Sequence, residues 1–328
     1  MDIVNHMYEI ERLTLSPYAF LTENTRGRDF PISPDGLRGE FQRDRDRILH
    51  SKSFRRLMHK TQVFLSPEHD HYRTRLTHTL EVNQIANTMA KALRLNTDLC
   101  EAIALGHDLG HTPFGHAGER VLRRCFDQSF SHYDQSIRVV EKLEKLNLTW
   151  EVRDGIQHHT TGGASTLEGQ LILIADHIAF INHDIDDAIR AGIIKQDDIP
   201  KPLLDGLGDT HGKRIQTMVS SVINESFDKP FVRMDEETQY LTDRMQEFLF
   251  ANVYLGSAAK TEESKAENML ETLFRHFEDH PELLPDEYFE RVGEEGVART
   301  VCDYISGMTD RYAVNQFNKL FIPESWKG

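Results

Sequence analysis

Five titratable side chains fall within GHDLGHTPFGHAGE, the residues at positions 106 to 119. They are His107, Asp108, His111, His116 and Glu119. Imidazole nitrogens and carboxylate oxygens bind divalent metal ions, and the same groups donate and accept protons near neutral pH. Glycines lie among them, in a stretch where the chain would otherwise continue a helix. The stretch is therefore the first candidate for a site of chemistry.

Two histidines extend the apolar stripes of predicted helices. His78 precedes Val82 by four residues and His107 follows Ile103 by four, so both imidazoles lie on the core-facing side of a helix near its end. A single histidine at such a position is more often a hydrogen-bonded core residue than a ligand. Two of them with Asp108 adjacent favour a shared site.

Asp176 interrupts an apolar run that ends at position 175 and resumes at 178. An ionised carboxylate buried there is costly unless a cation accompanies it. The predicted metal ligands are therefore His78, His107, Asp108 and Asp176. Such a mixed nitrogen and oxygen set suits Mn²⁺, Fe²⁺ or Zn²⁺ and suits Mg²⁺ less well. The alternative is an Asp–His hydrogen-bond network inside a helical bundle.

Helical periodicity runs through the chain and predicts an all-α fold. Apolar residues recur at steps of three and four in THTLEVNQIANTMAKALRL and in TDLCEAIALGHD, the second with a capping signal at Thr97-Asp98. Residues 165 to 192 predict one long helix that a Ser165 or Thr166 cap begins and Gly192 ends.

Pro200 and Pro202 mark the predicted division of the chain. Residues 1–200 would form the catalytic core, including an N-terminal helix that binds phosphate. Residues 201–328 would form a helical C-terminal region packed on that core.

Composition excludes several classes of protein. The formal net charge of −15 argues against a general nucleic-acid binder, whose affinity needs a basic surface. The sequence has no run of apolar residues long enough to span a bilayer and no secretory signal, so we expect a cytoplasmic protein that binds no membrane. The three cysteines are widely spaced and predict core thiols.

One basic segment could hold a polyphosphate despite the negative net charge. Residues 43–60 contain seven lysines and arginines, including Arg56, against two aspartates. A solvated helix face with intrahelical ion pairs explains about half of these charges equally well.

The order of His78, then His107-Asp108, then a distant Asp176 resembles the HD phosphohydrolase superfamily. The surrounding residues are more similar still to its deoxyguanosine triphosphate triphosphohydrolase-like branch. The motifs that carry this resemblance are FQRDRDRILHSKSFRRLMHKTQVF, RTRLTHTLEV, GHDLGHTPFGHAGE, SHYDQSIRVV, LEGQLILIADHIAFINHDIDDAIRAG and VCDYISGMTDRYA. They reach from about residue 12 to 190 and from 301 to 322.

The resemblance implies an HD-domain helical bundle that holds a divalent metal and hydrolyses a deoxynucleoside triphosphate (dNTP) to deoxynucleoside and inorganic triphosphate. Mn²⁺ is the first expectation for the metal, with Mg, Fe, Co, Ni or Zn as alternatives. Relatives are often oligomers that nucleotides activate at subunit interfaces. We therefore expect a homo-oligomer, from dimer to hexamer, with a dNTP as substrate and as candidate activator.

The resemblance also assigns roles to individual residues. His116 is the expected catalytic group, and Glu119, three residues later on the same face of a helix that begins near Gly115, would orient it or the attacking water. His111 and His132 match histidines that face the phosphates. A loop or surface histidine remains the alternative for His111.

Substrate contacts follow from the same comparison. Arg75 and Arg56 would bind phosphate, and Gln62 would contact the sugar or base. Asp184 fits sugar recognition, although an ion pair with a basic residue would explain it as well. Phe180 stands where the family usually has a tyrosine, so it keeps an aromatic wall and lacks a hydroxyl that Tyr304 or Tyr312 could supply.

Two other functions remain open from the sequence. One is another HD phosphohydrolase, such as a nucleoside 5′-monophosphatase. The other is a weakly catalytic regulator that binds nucleotides or single-stranded DNA.

Overall fold

The computed structural model describes residues 3–62, 73–254 and 259–323, and within these ranges the chain is helical without a β-strand. The all-α prediction is therefore confirmed. The α-helices are α1 Ile3–Thr14, α2 Glu40–Leu49, α3 Lys52–Arg56, α4 Arg75–Leu93, α5 Thr97–Gly106, α6 His116–Cys125, α7 His132–Arg138, α8 Trp150–His158, α9 Leu167–Arg190, α10 Lys201–Leu207, α11 His211–Ser226, α12 Glu236–Leu249, α13 Ala259–Asp279, α14 Asp286–Phe289, α15 Val292–Glu295, α16 Val297–Ser306 and α17 Asp310–Phe321. Short 3-10 helices span Thr22–Asn24, Leu57–His59, Gln196–Asp198 and Pro281–Leu283, and π-helical turns span Val139–Leu143 and Phe250–Tyr254.

The helix that carries Asp176 begins and ends close to its predicted bounds. The hydroxyl of Thr166 accepts a hydrogen bond from the Gly169 N–H, which makes Thr166 the N-cap of α9, and Gly192 follows two residues after the last helical residue. The cap of α5 lies one residue earlier than predicted. There the Asn96 side chain accepts from the Leu99 N–H, because an N-cap side chain must reach the backbone of the third helical residue.

The site is built on three helices that share one hydrophobic core. Apolar side chains of α4, α5 and α9 meet there, and residues of α11 and α12 extend the same core from beyond position 200. Fully buried members include Val82, Met89, Ile103, Ile178 and Met218. These long helices hold their polar ends in fixed register because closely packed interiors resist displacement.

A second core joins the C-terminal region to the helix that begins at His116. Val121 and Leu122 of α6 pack with Leu270 and Phe274 of α13 and with Ile305 of α16. The predicted packing of a helical C-terminal part on the helices before it is thereby confirmed. It follows that the C-terminal region supports α6 directly.

Glu168, at the start of α9, connects the N-terminal segment to the core. Its buried carboxylate accepts hydrogen bonds from the Phe20 and Asn96 N–H groups at 2.9 and 3.0 Å. Burial raises the pKa of Glu168 to about 7, above its ordinary value of 4.5, despite these bonds. Between these two values the folded protein keeps the Glu168 proton and the unfolded chain loses it. The stability that the protonated Glu168 contributes below pH 4.5 is therefore lost as the pH rises to about 7.

Glu168→Gln is therefore expected to flatten the pH dependence of unfolding between these values. The amide keeps an acceptor oxygen for Phe20 and Asn96 and does not titrate. The free energy of unfolding of the wild type should fall relative to the variant by about 3 kcal/mol across this range, on the usual scale of about 1.4 kcal/mol per pKa unit. Urea unfolding at pH 4.5 and 7.5 measures the difference. Glu290→Gln, at an exposed position, is the control, and parallel pH profiles for wild type and Glu168→Gln would contradict the prediction.

Candidate active site

Three of the four predicted metal ligands converge where α4, α5 and α9 meet. His78, His107 and Asp176 each offer a ligand atom, and these atoms all lie within 4.8 Å of one another. The His78 Nε2 is 3.0 Å from the Asp176 Oδ1. Burial alone would raise the pKa of Asp176, yet the hydrogen bond from His78 holds it below its ordinary value. The carboxylate is therefore ionised at neutral pH.

His107 has the tautomer that a metal ligand requires. Its Nδ1 donates a hydrogen bond to the Ala104 carbonyl oxygen at 2.6 Å, so the Nε2 of the neutral ring carries a lone pair. That nitrogen is buried and has no hydrogen-bond partner among the described residues. A buried, unsatisfied imidazole lone pair beside a carboxylate is a position that a cation would satisfy.

Asp108, the fourth predicted ligand, is adjacent to this group and is engaged differently. Its Oδ2 accepts a hydrogen bond from the Arg75 Nη1 at 2.8 Å and lies 3.6 Å from the His107 Nε2. Burial would raise the pKa of Asp108, but the neighbouring imidazole of His107 and the guanidinium group of Arg75 hold it well below the ordinary value. Asp108 also belongs to a second group of candidate ligands with His132 and His159.

The four predicted catalytic residues form one continuous cluster beside the metal ligands. The rings of His111 and His132 stack with centroids 4.4 Å apart, and His111 and His116 lie 5.8 Å apart. The Glu119 Oε2 is 3.4 Å from the His116 Nδ1 and 3.5 Å from the His132 Nδ1. Glu119 therefore lies between two imidazoles. The predicted proximity of Glu119 to His116 is present in the structure.

The side chains of this cluster differ in their exposure to solvent. The His116 side chain is 68% exposed, whereas that of Glu119 is 6% exposed. Burial and the neighbouring charge of Arg75 lower the pKa of His111, which is thereby neutral at pH 7. Burial would raise the pKa of Glu119, but hydrogen bonds with His116 and His132 lower it. Glu119 is consequently a fixed negative charge, and His116 is the histidine of this cluster most open to a ligand.

One buried histidine near the site was missed by the sequence interpretation, and one lysine of the 43–60 segment lies beside the site with its amine engaged by the protein. His159 lies at the C-terminal end of α8 with its ring 5.0 Å from that of His107 and 5.3 Å from that of His132. Burial lowers the pKa of His159 to about 3. Lys60 donates hydrogen bonds to the carbonyl oxygens of His111 and Ser306 and is buried, which lowers its pKa to about 7. No pattern in the sequence singled out His159.

The predicted phosphate-binding arginines have protein partners in the structure. Arg75 pairs with Asp108, as described, and its Nε has no partner among the described residues. The Arg56 Nη2 lies 3.4 Å from the Glu144 Oε1. Gln62 is half-buried, with an unsatisfied Oε1, immediately before the undescribed residues 63–72, which include the last two of its motif.

Other basic side chains of the 43–60 segment also make contacts within the protein. Arg43 pairs with Glu40, Arg45 pairs with Asp46, and Arg47 donates to the Leu146 carbonyl oxygen. The first two contacts lie within α2, and the third joins α2 to the segment before α8. Three of the basic side chains that the sequence analysis considered for phosphate binding therefore already have partners within the protein.

Phe180 lacks the hydroxyl of the usual tyrosine, but a tyrosine from another helix places its hydroxyl nearby. The Tyr254 hydroxyl donates a hydrogen bond to the Asp184 Oδ2, and its ring stacks on Phe180 with centroids 6.1 Å apart. Burial raises the pKa of Asp184 well above its ordinary value. The alternatives considered from sequence, Tyr304 and Tyr312, instead bond to each other at 3.0 Å beside the second core. Tyr254 had no motif to single it out.

None of the described helices is long and apolar enough to cross a membrane.

The chain is similar to known proteins over nearly its whole length. The HD domain family matches residues 75–181, and a family described as a phosphohydrolase-associated domain matches residues 232–319. A deoxyguanosinetriphosphate triphosphohydrolase-like protein of Caldanaerobacter subterraneus subsp. tengcongensis is 57% identical over 323 residues, which cover 97% of this chain and 95% of the relative. A protein with the same description from Clostridium perfringens strain 13 is 46% identical, with 99% of each chain covered.

A solved structure gives an independent comparison of the fold. A hypothetical protein from Aquifex aeolicus aligns with a TM-score of 0.50 and 19% identity, covering 85% of this chain and 71% of that one. At this level of identity the likeness concerns the all-helical fold alone.

Proposed function

The chain belongs to the deoxyguanosinetriphosphate triphosphohydrolase-like family of HD-domain phosphohydrolases, and from that premise we propose that it hydrolyses dNTPs to deoxynucleoside and inorganic triphosphate. The observation that supports this most strongly is one contiguous cluster. In it, the His78, His107 and Asp176 group lies beside the stacked imidazoles of His111 and His132. Hydrolysis at an α-phosphate needs a metal ion and proton-transferring side chains close enough to act on the same substrate.

The three convergent ligands fit a divalent metal, which we propose to be Mn²⁺ ahead of Mg²⁺, Fe²⁺, Co²⁺, Ni²⁺ or Zn²⁺. Two imidazoles and a carboxylate form a mixed donor set, and the His107 Nε2 lone pair is buried without a partner in the described chain. When bound, such an ion supplies Lewis acidity at the α-phosphate and makes water more acidic.

The neighbouring side chains are proposed to move and orient protons. Water attacks the α-phosphorus, the bond from phosphorus to O5′ breaks, and the departing O5′ requires a proton. His116 is exposed to the site and is held through its Nδ1 by Glu119, which leaves its Nε2 free to deliver that proton. Glu119 itself is fixed by Arg123, whose Nη2 donates to its Oε1 at 2.8 Å.

Phosphate oxygens have neutral and cationic donors on the same side of the cluster. No side chain caps the N-terminus of α6, a position that favours an anion, and Gly115 before it adopts a φ of 55°. A Cβ at Gly115 would lie 3.1 Å from the Arg75 Nη2, so glycine keeps this approach open. We propose that Arg75, His111 and His132 line the phosphate side, with Gln62 and Arg56 further out and Asp184 at the sugar.

Product analysis tests the proposed reaction. The Mn²⁺-loaded protein is incubated with each dNTP singly and with all four together, and the products are separated by ion-exchange chromatography. Deoxynucleoside with triphosphate supports the proposal, and activity only in the mixture would reveal a nucleotide activator. Monophosphate with pyrophosphate, faster cleavage of a nucleoside monophosphate, or tight binding without turnover would contradict it.

The remaining expectations are proposals with tests of their own. A homo-oligomer of two to six chains is tested by light scattering, and binding of single-stranded DNA by fluorescence anisotropy. The proposed boundary near residue 200 is tested by limited proteolysis.

Tyr254→Phe is expected to lower kcat/KM for dNTPs by about 2- to 10-fold, the usual range for one lost hydrogen bond. The reason is that Asp184 loses the hydroxyl that orients its carboxyl group, while the aromatic stack on Phe180 remains. Steady-state kinetics with each dNTP measure the change, which should fall mainly on KM because the contact is proposed to serve the sugar.

Two further variants decide whether the hydroxyl is the cause. Tyr240→Phe removes an exposed hydroxyl from α12 and should leave kinetics unchanged. Phe180→Tyr added to Tyr254→Phe places a hydroxyl one helical turn before Asp184 and should restore part of the loss. Wild-type kinetics in Tyr254→Phe would contradict the role.

A further inference from the structure

The turn before α6 has a backbone conformation that needs support. Phe114 adopts a φ of 59°, in the left-handed region, and Gly115 follows with a φ of 55°. Glycine accepts such a conformation freely, whereas a bulky residue such as phenylalanine does not. His116, the proposed proton donor, is the next residue and begins α6. The groups that hold Phe114 in this conformation therefore also set the position of His116.

A carboxylate from the C-terminal region binds this turn. The Asp310 Oδ1 accepts a hydrogen bond from the Phe114 N–H at 2.9 Å, across 196 positions of sequence. Asp310 is the first residue of α17 and is 8% exposed. Hydrogen bonds to an ionised acceptor are stronger than those between neutral groups, so this bond offsets the conformational cost at Phe114.

The same carboxylate binds a second segment of the site. The Asp310 Oδ2 accepts hydrogen bonds from the Thr61 N–H at 2.9 Å and from the Thr61 hydroxyl. Thr61 is followed by Gln62, one of the proposed substrate contacts. The residue before it, Lys60, accepts a hydrogen bond from the Arg75 N–H at 3.1 Å through its carbonyl oxygen. Asp310 thereby joins the turn before α6 to the segment that meets the start of α4.

The two segments lie against each other at the phosphate side of the proposed site. A Cβ at Gly115 would lie 3.7 Å from the Gln62 carbonyl oxygen. The buried amine of Lys60 supports the same junction, because it donates to the carbonyl oxygens of His111 and Ser306. The end of α16 and the start of α17 therefore both reach the active-site turn.

We propose that Asp310 is a positioning residue of the active site, whose carboxylate fixes the turn at Phe114 and Gly115 against Thr61 and so sets where His116 meets the substrate. The inference rests on the proposed function, in which His116 is the proton donor. Asp310 belongs to neither group of candidate metal ligands in the described part of the chain, so its effect is separate from metal binding. A reacting group displaced by about 1 Å costs about 10²-fold in rate.

Hydrogen exchange tests the positioning without reference to turnover. Asp310→Asn replaces one carboxylate oxygen with an amide group that cannot accept, so a bond to Phe114 or to Thr61 is lost. Exchange of peptides that contain these two residues is followed by mass spectrometry. The affected amide should exchange at least about 10-fold faster in the variant, whereas peptides from the interior of α5 should be unchanged. Asp286→Asn, which alters an exposed aspartate at the start of α14, is the matched control and should behave as wild type.

Kinetics test whether the turn acts through His116. Asp310→Asn should lower kcat for dNTPs by about 10- to 100-fold, with the metal content at the wild-type level. In a His116→Ala background the same substitution should lower kcat by less than about threefold, because the group that Asp310 positions is already gone. A merely structural role would give the same fold loss of kcat in both backgrounds.

Three results overturn the assignment. They are unchanged exchange in both segments, faster exchange with unchanged kcat, and equal losses of kcat with and without His116. Wild-type protein that releases no triphosphate contradicts the proposed function instead, and the exchange comparison then decides alone whether Asp310 fixes the turn.

A milder variant covers the case in which Asp310→Asn fails to fold. Thr61→Val removes the hydroxyl donor to Asp310 and keeps the backbone hydrogen bond. It should lower kcat by about 2- to 10-fold, the usual range for one lost hydrogen bond, and again by less in the His116→Ala background. Wild-type kcat in Thr61→Val would overturn the role.

Discussion

Asp176→Asn is expected to lower the metal content of the protein by one equivalent relative to wild type. The amide has the shape of the carboxylate but not its charge, and Asp176 is the only carboxylate in the described group with His78 and His107. Loss of a single supporting group commonly weakens metal affinity by about 10- to 100-fold, and loss of the anionic ligand itself should weaken it at least as much. Hydrolysis of dNTPs should fall by at least about a hundredfold, since Lewis acidity at the phosphate is lost.

A variant in the same helix controls for general damage. Asp186→Asn lies in α9 ten residues further along, where the carboxylate pairs with Arg73 and Arg190 at 3.5 and 3.6 Å. It removes the same charge and should leave the metal content unchanged. Elemental analysis after desalting measures both variants. Full metal occupancy in Asp176→Asn would remove Asp176 from the ligand set and would favour the hydrogen-bond network inside a helical bundle.

The long helices and their polar ends were predictable because their signals are local. The stripe of Val82 and Ile103 repeats with the helical period, so the sides on which His78 and His107 lie follow from covalent spacing alone. Asp176 stands out because it interrupts an apolar run. These three residues do converge, with His78 in the first turn of α4, His107 at the end of α5 and Asp176 inside α9.

The parts of the site that were missed depend on tertiary packing. His159 lies beside the site because α8 packs on both α5 and α9, and no spacing within its own helix indicates that. Tyr254 reaches Asp184 across 70 residues of sequence, from a π-helical turn after α12. The partners of Arg75 and Arg56 were likewise not predictable, because Asp108 and Glu144 are distant in sequence and come close only in the folded chain.

His116→Ala is expected to lower kcat by about 10²- to 10⁴-fold, the usual contribution of a positioned general acid or base. Metal content should stay at the wild-type level, because His116 belongs to neither group of candidate ligands. This separation distinguishes the variant from Asp176→Asn, in which metal and activity are lost together. His116 is exposed and lies at the first position of α6, so alanine there leaves the helix and its core intact.

The pH profile adds a second readout to this comparison. In the wild type, a histidine that delivers a proton gives a basic limb in kcat, and that limb should be absent from the residual activity of His116→Ala. His280→Ala, which removes another exposed histidine paired with a glutamate, is the matched control for surface charge and should be unchanged. If kcat stays at the wild-type value in His116→Ala, the proton must come from elsewhere. The role would then pass to another group of the site, and His132, which also lies beside Glu119, is the next variant to measure.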